Sequence, residues 1–417
     1  MRSIYSSIIF LSIINASAGF CLNTNHRQRV VTFTQTQTCV YDDKVVDPFY
    51  ESHSKEASRT SRRIALKKII NVVPATMMTT SASPSLAADE IVTTDVAATD
   101  DTDIQIQVPL EYIPALNAYV VHYYLFGERF GAIIDTGSPF LTVPSTCSKR
   151  SYKYLWGCYK PELTLDSGYA NTYVALDNNL GTVVWRKAAF AFEKDDGRPQ
   201  QDLIFGVFGP DLLNGPGGVF FGLIKETNKR IYPSFLGQTG YDSFCVDLRS
   251  QSNTTTSGNT SFPQLILSKT PLIQDNNYIP LVRDLNRRYK ASVVHYTAKA
   301  TGFTANGLPL RLSEKNPTYV IFDSGCSGMT VSEDLYDGRY LQARKNKEKS
   351  LWGEVTITFQ TQAGNEVQLT ATKPLTTPLD NKTLSRYKGN IIVVGLAFLE
   401  GLAMTIDTKE GKLQFSE

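Results

Sequence analysis

From residue 104 onward, apolar and polar positions tend to alternate with a period of two. The stretches IQIQVPLEYIP (104–114) and AYVVHYYLFG (118–127) carry this pattern with many β-branched and aromatic residues, which predicts strands with one face buried. A third stretch, YANTYVALDNNLGTVVWRKAAFAF (169–192), places the turn formers Asp177-Asn178-Asn179 and Gly181 between two β-rich runs and predicts a hairpin. Two short runs break the alternation, IIDTGSPFLTVPS (133–145) and VIFDSGCSGMTV (320–331). In each, consecutive apolar β-formers lead directly into Asp-(Thr/Ser)-Gly, and a small polar or thiol residue and a second β run follow. A continuously apolar strand is buried on both faces, so Asp135 and Asp323 stand at the ends of buried strands. There the glycine permits a tight turn that a residue with a Cβ would resist. A chain that writes this pattern twice is expected to build one site from two halves.

Two carboxyls brought face to face in this way cannot both ionise, because the charge on one raises the pKa of the other. They would share a proton and offer a general base and a general acid in one place, able to activate a water and protonate a leaving amine. The titration belongs to the pair.

At these residues the chain resembles the pepsin-like aspartic proteases. Asp135-Thr136-Gly137-Ser138, with Leu141 and Val143-Pro144-Ser145, is similar to that family's first catalytic loop, and Asp323-Ser324-Gly325 to the second. The apolar run LIFGVFGPDLL (203–213) and the run IIVVGLAFLEGLAMTIDTKEGKLQF (391–415) resemble the glycine-bearing strands behind the two loops. The segment YPSFLGQTGYDSFCVDL (232–248) suits a helix followed by a strand. The resemblance implies an all-β, bilobal pepsin-like fold of two β-barrel-like lobes, 104–276 and 277–417, with the active site in the cleft between them. It implies an endopeptidase best at acidic pH, with Asp135 and Asp323 catalytic and with no cofactor and no metal.

Thr136 and Ser324 would cross-brace the loops, Gly137 and Gly325 support them, and Ser138 would orient the first carboxylate. Cys326 stands where the second loop would carry a hydroxyl, and a thiol is the weaker donor. Tyr173 is the flap candidate, with Tyr169 second. Thr142 occupies a place where many relatives have a Trp that bonds the flap Tyr, so that partner is missing unless Trp156 or Trp185 supplies it. The resemblance also implies a small disulfide between Cys147 and Cys158. Cys245 reads as a core residue and Cys326 as an unbridged thiol, while a bridge between those two is left open by sequence. The competing reading is a catalytically weak or inactive protein of the same fold, similar to the plant xylanase-inhibitor branch, for which Cys326, the absent Trp and the degenerate flap are the motive.

Composition refines this picture mainly at the N terminus. The formal charge of +2 over 417 residues conceals a basic first 87 residues, with ten Lys or Arg against five Asp or Glu, and a mildly acidic remainder. That balance gives no reason to expect nucleic acid or an anionic membrane as partner. The four His residues form no ligand cluster or triad in the sequence. Residues 1–19 read as a signal peptide, too short and too soon interrupted for a membrane anchor. Residues 20–60 resemble a transit peptide of the kind used in algae with complex plastids, despite several acidic residues. Residues 61–87, with Arg62-Arg63 and a Ser85-Leu86-Ala87 cleavage site, resemble a twin-arginine lumenal signal. An amphipathic helix of an ordinary pro-segment is the alternative for that stretch. Residues 88–103 read as a flexible acidic leader. The expected location is a thylakoid lumen, with a secreted or vacuolar enzyme as the alternative. The expected partner is a peptide or protein substrate, bound by a monomer without a membrane anchor. Asn253, Asn259 and Asn381 fit the glycosylation pattern, and unmodified loops are the favoured reading there.

Overall fold

The period-two stretches form antiparallel strands. Gln105–Ile113 pairs with Ala118–Leu125, which pairs in turn with Glu128–Asp135. The computed structural model describes residues 105–145, 153–176, 179–194, 201–208, 219–227, 233–249, 263–285, 293–312, 315–379 and 389–417, all within one compact unit. The expected signal, transit and leader segments, Cys21, Cys39, Cys147 and the three glycosylation motifs lie outside these residues.

Among the described residues the fold is β-rich, with three sheets and short helices. A 14-stranded sheet begins at Ile279–Pro280 and the C-terminal hairpin Ala403–Asp407/Lys412–Ser416. It continues through Ser243–Asp247 and Gln264–Ser268 to the N-terminal strands and the hairpin Thr172–Leu176/Asn179–Ala191. This sheet crosses the boundary expected near residue 276. A five-stranded sheet carries Thr318–Phe322 at the second Asp-Ser-Gly, and a four-stranded sheet is built on Glu354–Gln360 and Glu366–Thr372. No sheet closes on itself among the described residues, so the barrel-like lobes expected from sequence are open sheets here.

A duplicated arrangement underlies both Asp-(Thr/Ser)-Gly segments. Glu128–Asp135 lies parallel to Phe220–Gly222, and Thr318–Phe322 lies parallel to Asn390–Val394. The strands that leave the two turns repeat the theme. Thr142–Pro144 runs parallel to Gln201–Phe208, and Met329–Ser332 runs parallel to Thr376–Leu379. Parallel strands need both faces covered, and the sequence supplies this with runs that are almost wholly apolar: Thr318–Phe322 and Ile391 to Val394 are buried at every position.

The strand behind the first turn differs from the sequence expectation. The run beginning at Leu203 forms Gln201–Phe208, which pairs antiparallel with Asn179–Ala191 and parallel with Thr142–Pro144. The position beside Asp135 is taken by Phe220-Phe221-Gly222. Both runs are apolar and end in or contain glycine, so local pattern could not separate them; the partner was decided by long-range packing. Phe221 is fully buried, with its ring 4.5 Å from that of Phe235 and 5.6 Å from that of Tyr123. Aromatic pairs at such distances add about 0.5–1.5 kcal/mol to the burial itself.

The helix Phe235–Thr239 follows from its caps. Ser234 accepts from the N–H of Gly237 at its start, and Gly240 closes it in the left-handed region. The longest described helix, Glu333–Asn346, buries Arg339, whose guanidinium meets Glu348 and the carbonyl of Leu351. Among the described residues no helix is long and apolar enough to cross a membrane.

Candidate active site

The two turns meet. Asp135 is 2% exposed and Asp323 is fully buried. Each carboxyl accepts the N–H two residues on, Gly137 N to Asp135 Oδ1 at 2.7 Å and Gly325 N to Asp323 Oδ1 at 3.0 Å. A Cβ on Gly137 would stand 2.5 Å from Cγ of Asp323, and one on Gly325 would stand 2.8 Å from Cγ of Asp135. Each glycine therefore packs against the opposite aspartate. Neither has a positive φ, which corrects the expectation that backbone freedom is the reason for glycine here. The requirement is space: any side chain would displace the facing carboxyl.

Thr136 and Ser324 hold the halves in register by four reciprocal bonds. The Thr136 hydroxyl donates to the carbonyl of Phe322 at 2.9 Å and accepts from Ser324 N at 2.9 Å. The Ser324 hydroxyl donates to the carbonyl of Ile134 at 2.8 Å and accepts from Thr136 N at 3.1 Å. All these groups are buried, so losing one hydroxyl would leave two backbone groups unpaired, at about 1–3 kcal/mol each.

The glycine strands complete the cradle. Gly222 N donates to the carbonyl of Phe140 at 3.0 Å, and Gly395 N donates to that of Gly328 at 2.8 Å. A Cβ on Gly222 would strike Phe140 N and the carbonyl of Ser138, and one on Gly395 would strike the carbonyl of Cys326. Gly222 was missed from the sequence. The signal that could have found it is proximity to the next helix. Gly395 directly precedes the helix Leu396–Leu399, and of the two candidate runs it is Gly222, not Gly206, that lies nearer the helix Phe235–Thr239.

Electrostatically the pair is uneven. Burial, then repulsion by the Asp135 carboxylate, holds Asp323 well above the usual carboxylate range. Burial raises Asp135 as well, but Ser138, the Gly137 N–H and Asp323 all favour its charged form. Ser138 lies close enough to draw the Asp135 carboxyl down, although no hydrogen bond of ordinary geometry joins its hydroxyl to a partner. Oδ2 of Asp323 is likewise buried without a protein hydrogen-bond partner. Cys326 is fully buried at the counterpart of Ser138, its N–H donating to the carbonyl of Asp323 at 3.1 Å. Such an arrangement favours one proton shared by the pair.

The hairpin beside the first loop is present, with Leu176 opposite Asn179. Gly181 lies within its second arm, opposite Val174, instead of in the turn as expected, because pairing already starts at Asn179. Tyr173 lies in the first arm, opposite Thr182, with its side chain outside the described part; Tyr169 is exposed and precedes the hairpin. Trp185 bonds Thr172, the residue before the flap candidate Tyr173. Its Nε1 donates to the Thr172 hydroxyl at 2.8 Å, and its ring meets Phe140 of the Asp135 loop edge-on at 4.8 Å. Thr142 instead braces the loop from behind, accepting from Phe220 N at 2.8 Å and donating to the Phe220 carbonyl at 3.3 Å. Trp156 is half-buried and packs on the main core.

Cys245 and Cys326 are both buried and outside any disulfide, which closes the question of a bridge between them. Cys158 is disulfide-bonded, and its expected partner Cys147 lies outside the described residues. Among the described residues, no three His, Cys, Asp or Glu side chains gather as a metal ion would need. No family model and no curated protein matches the chain.

Proposed function

We propose that the chain is an aspartic endopeptidase of pepsin-like, bilobal fold, hydrolysing peptide bonds through a water activated between Asp135 and Asp323. The observation that carries this reading is the pair of fully buried, facing carboxyls, held by reciprocal bonds between Thr136 and Ser324. Burying two carboxyls together is costly, and a protein with no chemistry to perform gains nothing from it. In the mechanism, Asp135, favoured in its charged form by Ser138 and the Gly137 N–H, takes a proton from the attacking water. Asp323, held neutral by burial and by its neighbour, donates its proton to the carbonyl oxygen and supports the tetrahedral species. The proton gained by Asp135 then passes to the leaving amine as the C–N bond breaks, and a hydroxyl of the tetrahedral species returns its proton to Asp323.

An extended peptide bound by strand-like hydrogen bonds is the substrate form this fold would take, with the chain acting as a monomer and without a cofactor. The N-terminal segments favour delivery to an acidic lumen, where one proton on the dyad is retained. The non-catalytic reading on the same scaffold rests on Cys326, which offers Asp323 a weaker donor than Ser138 offers Asp135.

Peptidase assays at pH 4–6 on the purified 88–417 chain separate these readings. Asp135→Asn and Asp323→Asn, each alone, are expected to abolish cleavage and the tight binding of a statine-type transition-state mimic. Full cleavage by either variant refutes the mechanism. A wild-type chain that neither cleaves nor binds the mimic favours the inactive scaffold.

A further inference from the structure

The Thr136/Ser324 crossing is accompanied by another connection between the halves. The carbonyl of Asp135 accepts the N–H of Leu223 at 2.8 Å, and the carbonyl of Leu223 accepts the hydroxyl of Tyr296 at 2.6 Å. The carbonyl of Tyr296 in turn accepts the N–H of Phe322 at 3.1 Å, one residue before Asp323. Three hydrogen bonds thus run from the backbone of one aspartate to the residue beside the other. The only side-chain group in this run is the Tyr296 phenol, which also accepts Lys225 N at 3.2 Å. Tyr296 is 5% exposed, and its ring packs against Phe244 at 5.4 Å. The two segments it joins touch again at Thr227 and Val293, and Val294 N donates to the carbonyl of Glu226 at 2.9 Å.

We propose that Tyr296 is a positioning residue for the dyad, its hydroxyl fixing the distance between the two carboxyl-bearing turns from the Leu223 side. The proposal rests on the peptidase reading above. The Thr136/Ser324 bonds join the turns at their first residues past the aspartates, and two points of attachment resist rotation where one does not. Without the phenolic hydroxyl, the buried Leu223 carbonyl and Lys225 N–H lose their partner. The Leu223 peptide is then free to shift, and it carries the Asp135 carbonyl with it. A displacement of about 1 Å at a reacting group can cost about a hundredfold in rate.

Tyr296→Phe tests this, with Tyr123→Phe as control. Tyr123 is equally buried, and its hydroxyl donates to the Thr142 carbonyl, outside the run just described. In assays normalised to sites titrated with a statine-type mimic, Tyr296→Phe is expected to lose at least about tenfold in kcat, with KM changed less than about threefold. The two limbs of its pH profile should move closer together, because carboxyls held less closely repel each other less. Tyr123→Phe should lose stability but keep both kcat and the profile. A Tyr296→Phe enzyme with wild-type kcat per site and wild-type limbs overturns the proposal while leaving the peptidase reading intact.

If the wild-type chain neither cleaves nor binds the mimic, the peptidase reading fails by itself. Titration of 13C-labelled aspartate carboxyls in both proteins then still decides the positioning role: an unchanged separation of the two steps overturns it, and a narrowed one supports it. If Tyr296→Phe does not fold, amide exchange in the wild-type protein decides. Binding of the mimic should slow Leu223, Lys225 and Phe322 together, and no change at those amides overturns the tie.

Discussion

His295 is buried and lines a small cavity of about 20 Å³ together with Lys225, Glu226, Leu281, Arg283, Val294, Tyr296 and Thr408. Burial pushes its imidazole down from 6.5 to about 4. The charged neighbours are already paired, Lys225 with Asp242 and Arg283 with Glu226, and two cations nearby offer a protonated ring no relief. The folded chain therefore keeps His295 neutral over a range in which the unfolded chain protonates it. The stability it contributes is whole above the unfolded pKa of 6.5 and is lost as pH falls toward the folded value of about 4. The full effect is about 3 kcal/mol, of which about 2 kcal/mol falls between pH 7 and pH 4.5.

The perturbation is His295→Gln, which removes the titration and keeps a polar group of similar size. Urea unfolding of both proteins at pH 7, 5.5 and 4.5, with m unchanged, gives the comparison. The variant should lose about 2 kcal/mol less than wild type across that range, whatever its stability at pH 7. Parallel losses in the two proteins refute the assignment of a neutral, buried imidazole.

Two further outcomes follow from the site and its support. Cys326→Ser supplies a hydroxyl near Asp323 and favours its charged form, so the alkaline limb of the peptidase pH profile should fall by about one pH unit; an unmoved limb shows that residue 326 does not act on the dyad. Glu348→Gln leaves the fully buried Arg339 without its charged partner and should cost about 3 kcal/mol in urea unfolding, with kcat per titrated site unchanged.

The strand pattern and both Asp-(Thr/Ser)-Gly turns were legible because they are local. Alternation reports which face is buried, and a continuous apolar run reports a strand covered on both sides. The site residues Asp135, Thr136, Asp323 and Ser324 come together because those local signals coincide twice. What escaped reading depends on partners far along the chain. Gly206 and Gly222 stand in runs of equal apolar character, and apart from the nearness of Gly222 to the helix Phe235–Thr239 only pairing with Glu128–Asp135 distinguishes them. Tyr296 stands in VVHYTAKA with nothing to mark it, since its importance lies in the Leu223 and Phe322 backbone groups it meets. Arg339 stands in the charge-rich helix Glu333–Asn346, yet it is fully buried because Glu348, Gln342 and the Leu351 carbonyl satisfy its guanidinium. Hydrogen-bond complementarity of this kind has no period in the sequence.

The buried titratable groups pull stability in opposite directions with pH, and this bears on where the chain would work. Asp135 and Asp323 are both raised by burial, so as pH rises the folded state releases its protons later than the unfolded chain does. Their cost to stability is present at neutral pH and disappears as pH falls below the ordinary carboxylate range. His295 does the reverse, withdrawing stability as pH falls from 6.5 toward about 4. The dyad itself needs one proton, which it keeps well above ordinary carboxylate values because Asp323 is raised. The upward shift of Asp323 and the downward shift of His295 both widen the range in which the dyad holds a proton while the imidazole is neutral. A mildly acidic range satisfies both demands, and stronger acid gains nothing for the dyad while it charges the buried imidazole beside Tyr296.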